Sequence, residues 1–375
     1  MYMRCVIVSY ESCIMRVSTD AVSGFSESAC RAASGALSGF IMRAAGKVMG
    51  IIMKNILTFL EENAIKYKDK TAFVDLNDSV TYAELLERAQ SIGSALSKTG
   101  TKNKPIAVYF DKCVNTISAM LGVVYSGNFY VVIDSEMPPA RINKIFGALS
   151  PVAVITDKKH HENALQLEFS GEIFDLEEAL SCEINSEKLA QIRSRQIDTD
   201  PLYALFTSGS TGVPKGAVVS HKSVMAYSEW VSNTFDITSE TVFANQTPFY
   251  FSMSVTDVYS TLRNGATLAI VPKMYFSFPI KLVEFLDEYK ANTIYWVPSA
   301  ISMVSNFKVF DFQKPKYLNK VLFAGEVMPT KQLNYWINNL PENTLFANLY
   351  GPTETTDICT CLLYTSPSPR DVEES

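Results

Sequence analysis

Short apolar runs alternate with longer amphipathic stretches between Met53 and Cys361, and this alternation constrains the fold more than any other feature of the sequence. Such alternation is typical of layered α/β proteins, in which helices cover the faces of a sheet. Several of the runs are continuously apolar, as strands buried on both faces are. The sequence therefore predicts layered, parallel-rich sheets with flanking helices. The predicted strands are Thr71–Val74, Pro105–Phe110, Tyr130–Ile133, Val152–Thr156, Tyr203–Thr207, Thr241–Asn245, Thr267–Val271, Thr293–Val297 and Val321–Ala324.

Capping residues indicate where several helices begin. Thr81 followed by Glu84 is a capping-box pattern, which predicts a helix over Thr81–Lys98. Asn115 is a favourable first residue for a second helix, Asn115–Ser126. The other predicted helices are Pro139–Leu149, Ser223–Thr234, Val255–Arg263 and Ile280–Tyr289.

The first 52 residues differ in character from this block. They are rich in Ser, Ala and Met and show no sustained periodicity, whereas a helical apolar pattern begins at Met53. We therefore expect residues 1–52 to be a non-native or disordered extension, and residues 53–361 to be the folded block. A targeting peptide is the alternative for the extension, which contains basic and serine residues but also Glu11, Asp20 and Glu27.

The C-terminal end differs as well. From Cys361 to Asp371 the chain reads CLLYTSPSPRD, which resembles an in-frame translation of a transposase sequencing adapter. We therefore expect residues 362–375 to be an artefactual tail, with an ordinary tail rich in proline and serine as the alternative. On the first interpretation the natural protein continues past Cys361 and this chain is a fragment.

Charge and cysteine spacing exclude several classes of protein. The chain has 33 Lys and Arg against 39 Asp and Glu, a net charge of −6, which argues against binding nucleic acid through phosphate neutralisation. No stretch approaches the roughly 18 apolar residues of a membrane-spanning helix. Seven irregularly spaced cysteines form neither a disulfide framework nor a metal-binding pair. We expect a soluble, cytoplasmic protein without a nucleic-acid or membrane partner.

The segment most informative about chemistry follows the predicted strand Tyr203–Thr207 and reads TSGSTGVPKG. Its glycines allow a close backbone approach, so that consecutive N–H groups can point at an anion. Its hydroxyl groups add donors and its lysine adds a positive charge, so we interpret it as a phosphate-binding loop. Gly216 after Lys215 excludes a Walker A loop, which has Ser or Thr there. The candidate residues are Thr207, Ser208, Gly209, Ser210, Thr211, Gly212, Lys215 and Gly216.

Three motifs together resemble the adenylate-forming superfamily. Residues Thr207–Gly216 match its signature loop, T-S-G-[ST]-T-G-x-P-K-G, at every fixed position, and Asn348–Glu354 match a second signature, N-x-Y-G-P-T-E. Ala324–Glu326 fit a third, weaker motif. The region from Met53 to Cys361 is thus similar to amino-acid adenylation domains, both the stand-alone carrier-protein ligases of D-alanine type and those of nonribosomal peptide synthetases. The expected fold is the large N-terminal lobe of such an enzyme.

This resemblance implies roles for the motif residues. The loop would hold the β- and γ-phosphates of ATP, with Thr207 and Lys215 acting in catalysis. Glu354 would act in catalysis as the ligand of Mg²⁺, since a carboxylate suits this hard cation. Thr353 would bond the α-phosphate region, and Tyr350 would stack on adenine. The other nucleotide-binding residues implied are Gly325, Glu326, Asn348 and Gly351.

The implied reaction is the attack of a carboxylate on the α-phosphorus of ATP. It expels pyrophosphate and leaves an acyl-adenylate, and it depends on positioning and charge neutralisation. The acyl group would then pass to the phosphopantetheine thiol of an acyl or peptidyl carrier protein, which is the expected partner. Two alternatives stay open, an acyl-CoA synthetase and a non-catalytic nucleotide-binding fragment.

The substrate pocket departs from the family pattern. The family segment F-D-x-S supplies an aspartate that binds the substrate's α-ammonium group, and here Ser252 stands at that position. A neutral hydroxyl cannot replace a buried countercharge. The enzyme therefore either prefers an acid without an α-amino group or binds an amine through another acid such as Asp357. Motif offsets give the pocket residues Ser252, Met253, Thr256, Trp296, Leu322, Ala324, Leu349 and Asp357, with core packing as the alternative for Met253 and Trp296.

The resemblance also implies parts that follow the second signature. A ribose-binding aspartate, a hinge and a small lobe with a catalytic lysine would come after it, and the residues beyond Glu354 are too few to contain them. We expect the C-terminal lobe to be absent from this chain. We also expect the chain to bind ATP weakly and not to catalyse efficient adenylation.

Overall fold

A computed structural model of the protein describes residues 55–207 and 214–364. The predicted extension 1–52, loop residues 208–212 and the end of the chain after residue 364 lie outside the described residues. The strands are β1 Thr71–Val74, β2 Ser79–Thr81, β3 Pro105–Tyr109, β4 Phe129–Ile133, β5 Ala153–Thr156, β6 Glu172–Asp175, β7 Pro201–Thr207, β8 Lys215–Ser220, β9 Val242–Asn245, β10 Thr267–Ile270, β11 Thr293–Trp296, β12 Lys320–Ala324, β13 Leu345–Tyr350 and β14 Thr360–Tyr364.

The α-helices cover the faces of these strands. Their bounds are α1 Leu57–Lys66, α2 Tyr82–Leu96, α3 Val114–Tyr125, α4 Pro139–Leu149, α5 His161–Leu165, α6 Leu176–Leu180, α7 Ser186–Arg195, α8 His221–Phe235, α9 Met253–Asn264, α10 Pro279–Glu288, α11 Pro298–Asn306 and α12 Thr330–Asn339. Short 3₁₀ helices lie at Ser97–Thr99, Lys273–Ser277, Val309–Asp311 and Thr353–Thr355. In the described part of the chain, none of the helices combines the length and apolar character needed to cross a bilayer.

The strands form two parallel-rich sheets, which confirms the predicted fold class. The larger sheet has the order β14-β13-β12-β11-β9-β10-β1-β2, and the smaller has the order β6-β5-β3-β4-β7-β8. Among the described strands, antiparallel pairing occurs at three sheet ends, between β1 and β2, β13 and β14, and β7 and β8. All nine predicted strands form within two residues of their predicted bounds. Strand β14 continues to Tyr364, three residues beyond the expected end of the folded block at Cys361.

Helix α2 begins as its capping pattern predicts. The Thr81 N–H donates to Glu84 Oε2 over 2.8 Å, and the Glu84 N–H donates back to Thr81 Oγ1 over 3.2 Å. These two bonds satisfy backbone donors that have no partner within the first turn. The helix therefore starts at Tyr82, directly after strand β2.

Helix α3 begins one residue earlier than predicted. It spans Val114–Tyr125, and its cap is formed by Cys113, whose N–H donates to Thr116 Oγ1 over 3.1 Å. The side chain of Asn115, the predicted cap, instead accepts a hydrogen bond from Arg88 at 3.0 Å. The expected start at Asn115 is wrong because a threonine hydroxyl three residues along satisfies the backbone at Cys113.

Hydrogen bonds between distant residues fix helices α1 and α2 against α9. Tyr82 Oη donates to the carbonyl oxygens of Thr261 and Ala266 over 2.8 Å each, and Asn63 Nδ2 donates to Leu262 O over 2.7 Å. All these groups are buried, so each bond is kept from water. Helix α9 is thereby held with its N-terminal end, at Met253, near the carboxyl ends of β12 and β13.

One face of the larger sheet packs against helices α10, α11 and α12. The core on this face includes Trp296, Phe323 and Trp336, all with no exposed side-chain surface. The Trp296 indole N–H donates to the carbonyl oxygen of Ala244 over 2.8 Å, so its one polar group is satisfied. The opposite face of the same strands is left for the candidate site.

Candidate active site

Two of the three sequence motifs lie side by side at the carboxyl ends of neighbouring strands in the larger sheet. Strand β12 ends at Ala324 and leads into Gly325, and its parallel neighbour β13 ends at Tyr350 and leads into Gly351. Ala324 pairs with Leu349 in the register of the two strands. Because parallel strands end at the same edge, both motifs emerge where ligands bind in open α/β sheets.

Strands β7 and β8 flank the first motif. Thr207 at the end of β7 pairs with Lys215 at the start of β8. Strand β8 packs against the 3₁₀ helix Thr353–Thr355 of the second motif. Tyr203 Oη, on β7, also donates to the Thr356 carbonyl oxygen over 3.3 Å. The fold thus brings the two strands that flank the first motif beside the second motif, while loop residues 208–212 lie outside the described residues.

Glycine is required at two positions of the site. A Cβ on Gly351 would lie 1.9 Å from the carbonyl oxygen of Asp357 and 2.6 Å from Ile358 Cα, which no side chain could tolerate. Gly325 has a φ of +92°, a conformation that L residues rarely adopt. Both glycines fix the backbone turns that follow the strands.

The polar groups nearest the loop face solvent. Lys215 and Glu354 are exposed, and the Tyr350 ring is 70% exposed at the end of β13. We call these three residues the nucleotide rim. Thr353, half-buried, starts the turn between Tyr350 and Glu354. The rim offers one cation, one carboxylate and one aromatic face to a ligand.

Two other predicted nucleotide residues are engaged within the protein. Glu326 accepts hydrogen bonds from the Ser299 backbone N–H over 2.8 Å and from its hydroxyl over 3.2 Å. The Glu326 carboxylate therefore caps the start of helix α11, where a negative charge is favourable. Asn348 is half-buried within β13 and pairs in register with Phe323 and Leu362. Asn348 is two residues before Tyr350 of the rim. The Glu326 carboxylate already has a partner within the protein, Ser299.

The surroundings of Glu354 suit a metal ion that is bound by a single protein carboxylate. Within residues 55–207 and 214–364, no three Asp, Glu, His or Cys side chains are grouped so that they could hold a metal ion. Magnesium commonly takes only one or two carboxylates and completes its coordination with water and substrate phosphates. A single exposed carboxylate against a predicted phosphate loop fits that mode.

A buried carboxyl group lies beneath the rim. Asp357 is 1% exposed, and its Oδ2 accepts hydrogen bonds from Thr256 Oγ1 over 2.7 Å, Tyr227 Oη over 3.0 Å and Tyr295 Oη over 3.2 Å. We call these four residues the acid floor. The Ser252 side chain is close enough to Asp357 to lower its pKa slightly. The donors come from α8, α9 and β11, so the floor exists only when these elements are packed together.

Burial dominates the electrostatics of the floor. It raises the pKa of Asp357 to about 6, although the hydroxyl hydrogen bonds favour the charged form and oppose the rise. Burial likewise raises the pKa of Tyr227 and Tyr295 well above its usual range, so both phenols stay protonated as donors. At neutral pH the floor thus holds a buried carboxylate surrounded by neutral hydroxyl groups.

Three predicted pocket residues lie above this floor. The pairing of β11, β12 and β13 puts Tyr295, Leu322 and Ala347 in one cross-strand row, with Ala324 and Leu349 in the next. All five residues are buried. Because side chains alternate between faces, Leu322, Ala324 and Leu349 share the face of Tyr295. They form an apolar wall on that face of the sheet.

Trp296 is not part of that wall. It follows Tyr295 in β11 and belongs to the core on the opposite face, where its ring packs edge-on against Trp336 and Phe276. The expectation that Trp296 lines the pocket is wrong by one residue, and a one-residue offset reverses the face of a strand. Core packing, the alternative for Trp296, is its role.

The other predicted pocket residues lie at the start of α9. Ser252 directly precedes the helix and is half-buried, and Met253, the first helical residue, is 8% exposed. A Cβ on Gly325 would lie 3.6 Å from Met253 Sδ, so the methionine is beside the third motif. Thr256 is one turn further along and reaches Asp357. Ser252, Met253, Thr256 and Asp357 are therefore brought together as predicted.

Sequence reasoning missed the two tyrosines of the floor. Tyr227 lies in a predicted helix but in no motif, and no spacing connects it with Asp357. Tyr295 directly precedes the residue that the motif offset selected. Side chains alternate between the two faces of a strand, so assigning Trp296 to the face covered by helices would have put Tyr295 on the other face. For Tyr227, a single sequence contains no pattern that indicates a contact with Asp357.

A separate cavity of about 640 Å³ lies at the carboxyl ends of β3, β4 and β5. It is lined by acidic and basic side chains, among them Asp111 and Lys159, and by the aromatic residues Phe249 and Tyr250. Among the residues that the structure describes, no predicted site residue contributes to its lining. The motifs and the acid floor therefore define a different place from this cavity.

Comparisons with known proteins agree with the geometry. A family model described as AMP-binding enzyme matches residues 60–375. The D-alanine--D-alanyl carrier protein ligase of several Staphylococcus aureus strains is 30% identical over 314 residues, which are 84% of this chain and 62% of the relative. The chain thus spans less than two thirds of the length of these curated relatives.

Solved structures share the fold. A crystal structure of the nonribosomal peptide synthetase FmoA3 matches with a TM-score of 0.75 and 21% identity, over 84% of this chain and 33% of that one. The N-terminal subdomain of Klebsiella oxytoca NpsA, in complex with 3-hydroxybenzoyl-AMSN, matches with a TM-score of 0.70 and 16% identity, over 84% and 76% of the two chains. The family match covers most of the sequence, and the fold and the motif positions accord with it. The chain belongs to the AMP-binding enzyme family.

Proposed function

We propose that this chain carries the nucleotide-binding and acid-binding parts of an enzyme that activates a small carboxylic or amino acid with ATP. A carboxylate oxygen attacks the α-phosphorus of ATP, the bond to the β-phosphate oxygen breaks, and pyrophosphate leaves as the acyl-adenylate forms. The observation that supports this most strongly is the packing of β8, which begins with Lys215, against the turn that carries Glu354. The strand that begins with the proposed phosphate-binding lysine and the turn that carries the proposed metal-binding glutamate are thereby neighbours.

The nucleotide rim would bind ATP mainly by offsetting its charge. The Lys215 ammonium group and the backbone N–H groups of the loop would hold the phosphates, because charge-assisted hydrogen bonds to phosphate are strong. The exposed Tyr350 ring would stack on the adenine, and Thr353 would bond the α-phosphate region. The other residues proposed to contact the nucleotide are Thr207, Ser208, Gly209, Ser210, Thr211, Gly212, Gly216, Gly325, Glu326, Asn348 and Gly351.

Glu354 is proposed to hold Mg²⁺ together with water and phosphate oxygens. When bound, the ion would neutralise charge on the phosphate oxygens during the transfer. The exposure of Glu354 supports this role, since its carboxylate is open to an ion that arrives with the nucleotide. Lys215 would place a second positive charge on the same phosphates.

A thiol is the proposed acceptor of the activated acyl group. The S. aureus relative is named for a carrier protein, which supports transfer to the phosphopantetheine thiol of such a protein. We place this reaction in the cytoplasm, in keeping with the free thiols of Cys113, Cys182 and Cys359. Coenzyme A is the alternative acceptor, and supplying each thiol separately to the enzyme decides between a carrier-protein ligase and an acyl-CoA synthetase.

Calorimetric titration of the full chain with ATP, with and without Mg²⁺, tests the nucleotide site. We expect Mg²⁺ to strengthen ATP binding, and Glu354→Gln to abolish this effect of Mg²⁺ because the substitution removes the metal-binding charge. Glu342→Gln, which changes an exposed glutamate elsewhere, is the matched control and should behave as the parent. Absence of ATP binding to the parent would contradict the proposal.

A further inference from the structure

We infer that Asp357 holds an ammonium group of the substrate, so that the acid activated at this site is an amino acid. The inference rests on the proposed function and names the substrate class that the acid floor selects. It concerns one specificity-determining residue, and it chooses between the two alternatives that Ser252 leaves open.

The first argument is that Asp357 lies near Ser252. The Ser252 hydroxyl is among the groups that lower the pKa of Asp357, so the carboxylate is within reach of the place where the family pattern puts an aspartate. Ser252 itself has no charge and directly precedes helix α9. A carboxylate supplied from residue 357 therefore reaches the same region of the pocket from the opposite side.

The second argument is that Asp357 lacks a positive partner. In the described part of the chain, its hydrogen-bond donors are the neutral hydroxyls of Tyr227, Thr256 and Tyr295, and none of the ion pairs includes it. A buried carboxylate without a countercharge is costly, whereas a bound cation recovers much of that cost.

The neighbouring buried acid, Asp257, shows the contrast. Asp257 is also 1% exposed, and Asn245 Nδ2 donates to it over 2.7 Å. Burial raises the pKa of Asp257 to about 8, and the positive charge of Lys112 opposes this rise. For Asp357 the groups that oppose the effect of burial most are neutral hydroxyls, so its largest stabilising contacts carry no charge.

The third argument is the composition of the surrounding wall. Leu322, Ala324, Leu349 and Met253 are buried apolar residues around the floor, so a ligand here loses most of its water. A substrate ammonium group has three N–H donors that can bond the carboxylate. A plain carboxylic acid would put only C–H groups against Asp357 and leave the charge uncompensated. The expected substrate is therefore a small amino acid with an aliphatic side chain.

Two adenylate analogues that differ only in the amine test this inference on the full chain. Alanyl-sulfamoyl-adenosine carries an ammonium group, and propanoyl-sulfamoyl-adenosine has hydrogen in its place. We expect the parent to bind the alanyl analogue roughly 30-fold more tightly or better, as for a desolvated charge pair. Asp357→Asn should remove this preference, and it should bind the propanoyl analogue at least as tightly as the parent does, because no uncompensated charge then lies against the propanoyl group.

Two further variants separate charge from folding. Ser252→Asp combined with Asp357→Asn returns a carboxylate to the pocket and should restore the preference for the alanyl analogue. Asp311→Asn is the matched control, because the exposed Asp311 also accepts a tyrosine hydroxyl, from Tyr335 at 3.0 Å, but lies elsewhere. This control should keep the preference of the parent.

The outcomes are distinct. Equal binding of both analogues to the parent would overturn the inference and leave the nucleotide site intact. Loss of both analogues in Asp357→Asn would show a structural role and would also overturn it. If neither analogue binds the parent, the proposed function fails and this inference fails with it.

Discussion

The nucleotide rim and the acid floor hold their polar groups in opposite ways. The rim residues Lys215, Tyr350 and Glu354 are largely exposed, so water solvates them until a ligand arrives. The floor buries Asp357 under hydroxyl groups from three elements before any ligand is present. Because exposed groups contribute little to folding, the rim can change without much effect on stability. The floor is part of the folded core, and its changes affect folding and binding together.

The difference also explains how each region achieves selectivity. In the proposed function the rim would face phosphates and adenine, which are common to every such reaction, and short contiguous motifs are enough to place its residues. The floor would face the variable part of the substrate, and its residues come from α8, α9, β11 and the turn after β13. Selection of the acid therefore depends on packing between elements, whereas nucleotide binding depends on local backbone geometry.

The largest expected effect concerns the strand that separates the floor from the core. Trp296→Ala should lower the free energy of unfolding by about 3–5 kcal/mol, since it removes a fully buried ring from the core. Urea denaturation followed by circular dichroism measures this change. A small loss of stability together with altered affinity for the acid analogues would instead place Trp296 in the pocket and would blur the distinction between the two faces of β11.

The next effect is the dependence of stability on pH at the floor. The native pKa of Asp357, about 6, exceeds the usual aspartate value, so the native state holds the proton more strongly and stability falls as pH rises through this range. Asp357→Asn removes this loss, and the variant should be more stable than the parent by about 2–3 kcal/mol at pH 8. The groups facing the carboxyl are Tyr227, Tyr295 and the nearby Asp257, and the variant retains all three.

Denaturation curves at pH 4 and pH 8 provide the control for this effect. At pH 4 the parent carboxyl is protonated in the native state, so the parent and Asp357→Asn should be nearly equal in stability. A constant difference at both pH values would mean that Asp357 acts through shape and hydrogen bonding, with no contribution from its charge.

A change in the rim should affect binding alone. Lys215→Ala is expected to weaken ATP binding about 30-fold, which corresponds to losing one charge-assisted bond of about 2 kcal/mol. The free energy of unfolding should change by less than about 0.5 kcal/mol, because the side chain is exposed. Lys331→Ala, at an exposed position of α12, is the matched control for both measurements. A marked loss of stability in Lys215→Ala would remove the contrast between rim and floor.

The smallest expected effect comes from removing one hydrogen bond of the acid floor. Tyr295→Phe removes one donor to Asp357 and should lower the free energy of unfolding by about 1 kcal/mol. The bond favours the charged carboxylate, so its loss should raise the pKa of Asp357 further. Comparing the pH dependence of stability in the parent and the variant measures this shift. An unchanged pH dependence would show that the 3.2 Å contact contributes little to the floor.

The sequence predicts the rim because its residues lie in contiguous motifs whose chemistry is local. Lys215, Tyr350 and Glu354 each belong to a run with glycine or proline turns, so the backbone geometry is encoded beside the functional group. All nine apolar strands that the sequence predicts are present, whereas β13, which is also largely buried, was not predicted. In contrast, β6 begins with Glu172 and β8 with Lys215, and such polar edge strands lack the apolar signal of buried ones.

The floor could be predicted only in part. Ser252, Thr256 and Asp357 follow from motif offsets, but Tyr227 reaches Asp357 across 130 positions of sequence and has no local signature. Tyr295 and Trp296 exchange faces with a shift of one residue, which a motif offset cannot exclude. The role of Glu326 could not be predicted either, because its partner Ser299 lies on helix α11, 27 residues away. These are tertiary contacts between elements that the sequence places far apart.

A crystal structure of the full chain with alanyl-sulfamoyl-adenosine tests the central claim most directly. The account predicts the adenosine and sulfamoyl groups at the nucleotide rim, beside Lys215 and Tyr350. It also predicts the ammonium group about 3 Å from a carboxylate oxygen of Asp357. Adenosine bound away from the rim, or an ammonium group that points away from Asp357 into solvent, would contradict the division of the site into a nucleotide rim and an acid floor.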